Sequence, residues 1–242
     1  MTKQRIGQLI LLTRRMKIKH LDWDSSFFNK KIGLLELLND CNFSKIKNDY
    51  DLIYVVSDKD VAVESVDFKE GYRENKIVFS KKIVQKNEST EVNIFSELED
   101  SPRNEIYELA FESGKFSRFK LDKNFHQIEF ENLYKKWVDN SFNKEFADAV
   151  LVYKEQNKIL GFVTYKVWDK QATIGLIAVC SKHQGIGIGK KLIQSVEMEL
   201  ANKGVDELRI PTQLQNELAC RFYTKMGYEI IENKILKHYW KL

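Results

Sequence analysis

Proline is scarce in this chain: Pro102 and Pro211 are the only two among 242 residues. That excludes a proline-rich linker or polyproline architecture. Histidine is almost as rare. His20, His126, His183 and His238 are scattered without metal-ligand spacing, so no metal is expected. The cysteines, Cys41, Cys180 and Cys220, are odd in number and far apart, and two lie in apolar segments. A disulfide scaffold is excluded, and buried thiols in a reducing cytoplasm are expected. No apolar run approaches the roughly 18 residues of a membrane helix. "IGQLILL" at 6–12 is far too short, and no membrane partner is expected. An excess of one charge is missing too. Thirty-nine Lys and Arg face 35 Asp and Glu, and the net +4 is spread along the chain. A nucleic-acid binder usually concentrates its basic residues on one face. Small anionic ligands remain compatible with this charge. The first 17 residues carry five cations and no acid. Arg14 and Arg15 close the apolar run, and no small-residue cleavage site follows, so secretion is not expected. Met16 offers an alternative start that would make residues 1–15 an extension.

What is present falls into two parts. The polar stretch "QKNESTEVNIFSELEDSPRNE" (85–105), closed by Pro102, is the best boundary. It predicts a small mixed α/β domain over 1–95 and a larger domain over 96–242. In the first, "WDSSFFNKKI" (23–32) predicts a short helix capped by Ser25 or Asp24. Strands are predicted at 33–38, 51–57, 61–66 and 76–84. In the second, 105–113 and 126–142 have helical spacing, with Ile128, Leu133, Trp137 and Val138 sharing a face. Residues 147–168 predict two strands around a Gln156-Asn157 turn. "ATIGLIAV" (172–179) is apolar on both faces and predicts a central strand. Then come a helix over 189–204 with Leu192, Val196 and Leu200 inward, a strand at 207–212, a helix at 216–226, and a strand or hairpin at 228–240.

Between the central strand and the long helix lies "SKHQGIGIGKKLI" (181–193). Its glycines stand at 185, 187 and 189. A dinucleotide fingerprint fails, because Gly189 comes one residue early and no acidic residue ends a strand about 20 residues on. A P-loop fails too: Lys191 replaces the hydroxyl after "GK", and Gln184 replaces the first glycine. What remains is Q-x-x-G-x-G, formed by Gln184, Gly187 and Gly189. Such a turn brings backbone N–H groups and a helix N-terminus to one point, where a pyrophosphate fits. A ligand-free glycine turn is the plainer reading. Farther on, Asn216 and Tyr223 stand seven residues apart, about two helical turns, on one face.

These two motifs resemble the Gcn5-related N-acetyltransferase (GNAT) superfamily. Gln184, Gly187 and Gly189 match its acetyl-CoA turn. Asn216, Ala219, Phe222 and Tyr223 match its later N-x-x-A-x-x-[FL]-Y. Together they cover about 172–230. "LDWDSSFF" (21–28), "SGKFSRF" (113–119), "WVDNS" (137–141), "IGLIAV" (174–179), "TQLQN" (212–216) and "HYW" (238–240) further resemble the dTDP-fucosamine acetyltransferases. The resemblance implies an α/β (α+β) GNAT fold, a mixed central sheet flanked by helices, behind a smaller N-terminal domain. It implies acetyl-CoA as co-substrate, without a metal, and a nucleotide amino sugar, dTDP-4-amino-4,6-dideoxyhexose, as acceptor. The protein would act in the cytoplasm, for a surface polysaccharide. Whether it acts as a homodimer stays open.

The resemblance also implies roles. Ile177, Ala178 and Val179 would line the pantetheine arm on a strand splayed from its neighbour. A backbone N–H near Val179 would polarise the thioester carbonyl. Gln184, Gly185, Ile186, Gly187, Ile188, Gly189 and Lys190 would hold the pyrophosphate. The amine attacks, a tetrahedral intermediate forms, and Tyr223 protonates the departing thiolate. A thiol titrates near about 8.5 and tyrosine near about 10, so full transfer is uphill by roughly 1.5 units. Tyr223 as a core aromatic is the alternative. Asn216 is a helix cap, a cofactor contact, or both. Arg118 is an anion contact for the nucleotide sugar or an ordinary surface arginine. Acceptors other than sugars stay open, namely protein N-termini and small amines, as does a non-catalytic acyl-CoA sensor.

Overall fold

A computed structural model describes residues 18–37, 49–61, 63, 65–84 and 103–242. The boundary expected at 95/96, Cys41 and the N-terminal basic segment lie outside the described residues. Two compact units emerge. One holds the described residues up to Arg73 together with Ile235–Leu242; the other is Glu74–Lys234.

In the first unit, a two-residue strand β1 (Lys19–His20) pairs with β2 (Ile32–Leu37), and β2 runs parallel to β3 (Leu52–Ser57). The C-terminal residues of β9 (Glu229–Lys241) pair antiparallel with β3, from Ile235↔Ser57 to Trp240↔Leu52. Leu35, Leu37, Ile53, Val55, Phe68 and Tyr239 form its apolar core. Helix α1 (Asp22–Phe28) is shorter than expected. Leu21 takes the cap position without a side-chain bond, and Asn29 ends the helix in a left-handed conformation at φ 48°. Ser25 Oγ instead accepts from the Ile32 N–H at 3.0 Å. The strand expected at 61–66 does not form among the described residues; only an isolated bridge at Val63 stands there.

This unit also holds a cavity of about 600 Å³, lined among others by Asp60, Phe68, Arg73, Lys237 and Tyr239. Its charges satisfy one another. The Lys237 ammonium lies 2.7 Å from Asp60 and 3.4 Å from Glu70, and donates to the Val61 carbonyl at 2.8 Å. Arg73 lies 2.7 Å from Asp60, and the Tyr239 hydroxyl donates to Glu70 at 3.1 Å. These pairings brace the fold, and none involves the glycine turn.

The second unit is built on the residues of β4 (Phe68–Lys82) from Glu74 onward, then β8 (Glu207–Gln213), β7 (Gln171–Val179), β6 (Lys158–Trp168) and β5 (Ala149–Glu155), adjacent in that order. β7 and β8 are parallel; the other pairs are antiparallel. β4 starts eight residues before the predicted 76, because Gly71 and its charged neighbours read as a loop. The β5–β6 turn uses Gln156 and Asn157 at φ 48° and 65°, which side-chain amides tolerate. One face is covered by α5 (Ile188–Asn202) and α6 (Glu217–Lys225), whose Leu192, Ile193, Val196, Leu200 and Tyr223 pack on Ile77, Phe79, Leu208 and Ile210. The other face carries α2 (Arg103–Ser113), against β6 and β7, and α4 (Gln127–Phe142), against α2. α4 buries Phe130, Leu133, Tyr134 and Val138. Ile128 is 57% exposed, so the expected face is rotated toward the aromatics.

Candidate functional site

The site begins where β7 and β8 part. Their parallel pairing runs only from Gln171↔Glu207 to Thr173↔Arg209. Beyond it, Ile174–Val179 has lost its neighbour on that edge, while β8 continues against β4 to Gln213↔Lys76. A bulge starts the divergence. Between Tyr165↔Ile174 and Val163↔Ile177, Thr164 alone opposes Gly175 and Leu176. Such an extra residue bends a strand and sharpens its twist. The Thr164 hydroxyl accepts from the Leu176 N–H at 2.9 Å, repairing the ladder. A Cβ at Gly175 would lie 2.8 Å from that hydroxyl, so only glycine fits undisturbed. Sequence reasoning missed both residues. The lone glycine inside an apolar strand was the available signal.

The bulge also fixes which groups face the gap. Leu176 donates toward β6 through Thr164, and Cys180 donates to the Leu160 carbonyl at 2.8 Å. By strand alternation, the N–H groups of Ile177 and Val179 point away from β6, into the gap. Their side chains pack on the α5 core, so the Ala178 side chain takes the opposite face.

After Val179 the chain enters a short 3₁₀ turn (Ser181–His183) and the glycine turn. The exposed Gln184 donates its side-chain amide to the Val179 carbonyl at 3.1 Å, tying turn to strand end. Gly185 and Gly187 hold φ 82° and 96°, and a Cβ on either would meet nothing within 4 Å. The turn therefore opens a cradle that side chains would fill. The first helical bond of α5 runs from the Lys191 N–H to the Gly187 carbonyl at 3.0 Å. The N–H groups of Ile188, Gly189 and Lys190 are left for a ligand. The Ile188 side chain is buried, so only its backbone serves, while Ile186 and Lys190 are exposed. Gly189 is different: a Cβ there would lie 3.5 Å from Phe222, an ordinary contact. The cradle suits a phosphate-bearing ligand.

α6 supplies the other wall. Asn216 caps it, its side chain accepting from the Ala219 N–H at 3.4 Å. Tyr223 is 4% exposed and belongs to the core, its ring centroid 5.5 Å from that of Phe79 and 5.3 Å from that of Phe222. Burial, with a smaller effect from Cys220, pushes its pKa well above the ordinary tyrosine value. The structure shows the core packing of this residue.

A motif match now adds to the geometry: the model of the acetyltransferase (GNAT) family matches residues 104–228. The chain belongs to the acetyltransferase (GNAT) family. It is an acetyl-CoA-dependent N-acetyltransferase, and the glycine cradle fits that co-substrate. N-alpha-acetyltransferase 30 of Schizosaccharomyces pombe is 26% identical over 107 residues, 42% of this chain and 71% of that one. The spore coat polysaccharide biosynthesis protein SpsD of Bacillus subtilis is 24% identical over 135 residues, 56% of this chain and 46% of its own length. A GNAT-family structure from Novosphingobium aromaticivorans superposes with TM-score 0.54 at 13% identity, covering 81% of this chain and 77% of that one, and shares the fold. Among the described residues no helix is long and apolar enough to cross a membrane, and no group of His, Cys, Asp and Glu could hold a metal.

Arg118 lies elsewhere, at the start of the short helix α3 (Arg118–Leu121), half-buried, with its guanidinium carbon 4.6 Å from the Phe119 ring centroid. Its charge reaches Lys76 and Tyr134.

Proposed function

We propose that the protein N-acetylates the amine of a nucleotide-linked amino sugar, dTDP-4-amino-4,6-dideoxyhexose. The observation that carries this reading lies outside residues 104–228: "LDWDSSFF" (21–28) and "HYW" (238–240) resemble the dTDP-fucosamine acetyltransferases. The similarity to a spore coat polysaccharide protein over 135 residues supports it. We place the reaction in the cytoplasm.

In this proposal the backbone groups of Ile177 and Val179 pair with the pantetheine arm along the free edge of β7, while those of Ala178 between them bond β6. Gln184 holds that edge to the turn. The N–H groups of Gly185, Ile186, Gly187, Ile188, Gly189 and Lys190 take the pyrophosphate, helped by the α5 dipole. Asn216 keeps α6 in register and adds a polar contact. Acetyl-CoA supplies an activated acetyl thioester. The N–H of Val179 stabilises negative charge on the carbonyl oxygen. Tyr223 holds its proton at Oη, where burial keeps it, and donates it to the departing sulfur.

A second reading has its own support. N-alpha-acetyltransferase 30 matches at 26% identity, which favours a protein N-terminus as acceptor. Thiol release from acetyl-CoA, followed across nucleotide amino sugars and peptides, separates the two. Release with a dTDP-linked 4-amino sugar and none with peptides is the expected result. Peptide turnover alone would replace the sugar by a protein.

A further inference from the structure

The two helices that wall the site are held in different ways. α5 is tied to the sheet by polar bonds on both flanks. On one flank the Lys81 ammonium of β4 lies 2.8 Å from the Glu197 carboxylate. On the other, the Tyr165 hydroxyl of β6 donates to Glu199 and accepts from Lys203 at 2.6 Å. The polar bonds of α6 stay local. Arg221 reaches back one turn to Glu217 at 3.2 Å, and the Cys220 thiol points at the Gln213 and Leu214 carbonyls at 3.7 Å. Phe222, Tyr223 and Met226 pack on the core through apolar contacts, which carry no direction of their own.

The residues that follow α6 supply the direction. Met226 ends the helix, and Gly227 turns the chain at φ 82°. The Tyr228 N–H then donates to the Tyr223 carbonyl at 3.0 Å. The two rings meet edge to face, their centroids 6.2 Å apart at 63°. The Tyr228 hydroxyl donates to Glu197 of α5 at 2.7 Å. The same carboxylate takes Lys81, whose ammonium also lies 5.2 Å from the centre of the Tyr228 ring. Tyr228 is 2% exposed. Burial, with Glu197 beside it, raises its pKa, so it keeps its proton and stays a donor. A hydrogen bond from a buried hydroxyl to a carboxylate is directional and charge-assisted. One residue thus grips the backbone and ring of Tyr223 and the helix that begins in the glycine turn.

We infer that Tyr228 is a positioning residue that sets where α6, and with it Tyr223, stands relative to the glycine turn on α5. The inference rests on the reading of Tyr223 as the proton donor. In that reading the thioester is held from β7 and α5, and the proton comes from α6. Tyr228 and Glu197 join the two across the core. The Tyr228 hydroxyl is committed to Glu197, so Tyr228 acts through Tyr223.

The test uses the full chain and steady-state thiol release from acetyl-CoA, with a dTDP-linked 4-amino sugar as amine, or a peptide if that is the acceptor turned over. Tyr228→Phe should lower the turnover number by about tenfold, within the roughly 100-fold that a misplacement of about 1 Å can cost. The KM for acetyl-CoA and the calorimetric affinity for coenzyme A should stay unchanged, since α5 keeps its bonds to Lys81 and Tyr165. Glu197→Leu should repeat the loss of turnover. Glu197→Gln, which keeps an acceptor for the hydroxyl, should retain most of it. Where Tyr223→Phe is slow, adding Tyr228→Phe should cost nothing more, because the group it positions is gone. A merely structural role would lower the melting temperature and leave turnover per folded molecule normal. That outcome overturns the inference, and so does a further tenfold loss on top of a slow Tyr223→Phe. The two readings fail separately. A slow Tyr223→Phe with a normal Tyr228→Phe keeps the proton donor and removes the clamp. A normal Tyr223→Phe with a slow Tyr228→Phe removes the donor, and the clamp stands as one that places α6.

Discussion

Tyr223 contributes two things that a phenylalanine would separate. Its ring packs against Phe79 and Phe222, and its hydroxyl alone can move a proton. Tyr223→Phe should leave coenzyme A affinity unchanged and lower the turnover number by about 100-fold or more, the usual scale for a lost proton donor. Calorimetry measures the first effect and steady-state thiol release the second. A thioester with a more acidic thiol should rescue the variant more than the wild type, and near-normal turnover would return Tyr223 to the core alone. The glycines divide in the same way. Gly187 sits at positive φ facing open space, so Gly187→Val should abolish coenzyme A binding, through strain in the turn and a side chain in the cradle. Gly189→Ala should bind nearly as wild type, because its Cβ would only touch Phe222. Equal affinities for these two variants would overturn the cradle. The turn was legible in the sequence because glycine spacing is itself a backbone instruction. Thr164 was not, since nothing in "GFVTYK" says which backbone N–H its hydroxyl will meet.

At the scale of elements, the gap between β7 and β8 depends on one bulge. Thr164 is 2% exposed and supplies the acceptor for the Leu176 N–H. Thr164→Val keeps the shape and orphans that N–H, at a cost of about 1–3 kcal/mol of stability. Chemical denaturation should register this loss. Coenzyme A affinity should fall as well, because the bulge directs the Ile177 and Val179 N–H groups. A variant that loses stability but binds coenzyme A normally would detach the bulge from the site. Elements with strong local signals were legible: the Gln156-Asn157 hairpin, and α5 with its stripe of Leu192, Val196 and Leu200. Those set by partners were not. Of the strand expected at 61–66, only a single bridge at Val63 forms among the described residues. β4 extends back to Phe68 through charged residues that only pairing makes extended. In α4, Phe130 and Tyr134 took the buried face from Ile128, since the larger rings bury more surface.

Across the whole molecule, buried tyrosines set an alkaline limit. Burial pushes Tyr134 up to about 12. Tyr239 also rises to about 12, and Tyr223 and Tyr228 rise by burial too. A raised folded-state pKa means that the fold holds the proton more tightly than the unfolded chain. The associated stability is complete below about pH 10, the unfolded tyrosine value, and drains away as pH climbs toward 12. Urea midpoints should therefore fall between pH 9 and pH 11. Tyr134→Phe should lose less across that interval than wild type, and parallel curves would remove Tyr134 from the account.

The pairing of Ile235–Trp240 with Leu52–Ser57 has a consequence in time. On the ribosome, β3 emerges roughly 180 residues before the strand that completes its sheet, at about 5–20 residues per second. Until then β3 offers a bare apolar edge, with Leu52, Ile53, Tyr54 and Val55 awaiting cover. The strand is thus made long before its sheet can be completed. The nascent chain must carry that open edge while the intervening residues are synthesised, the interval in which a chaperone or a neighbouring nascent chain can bind it.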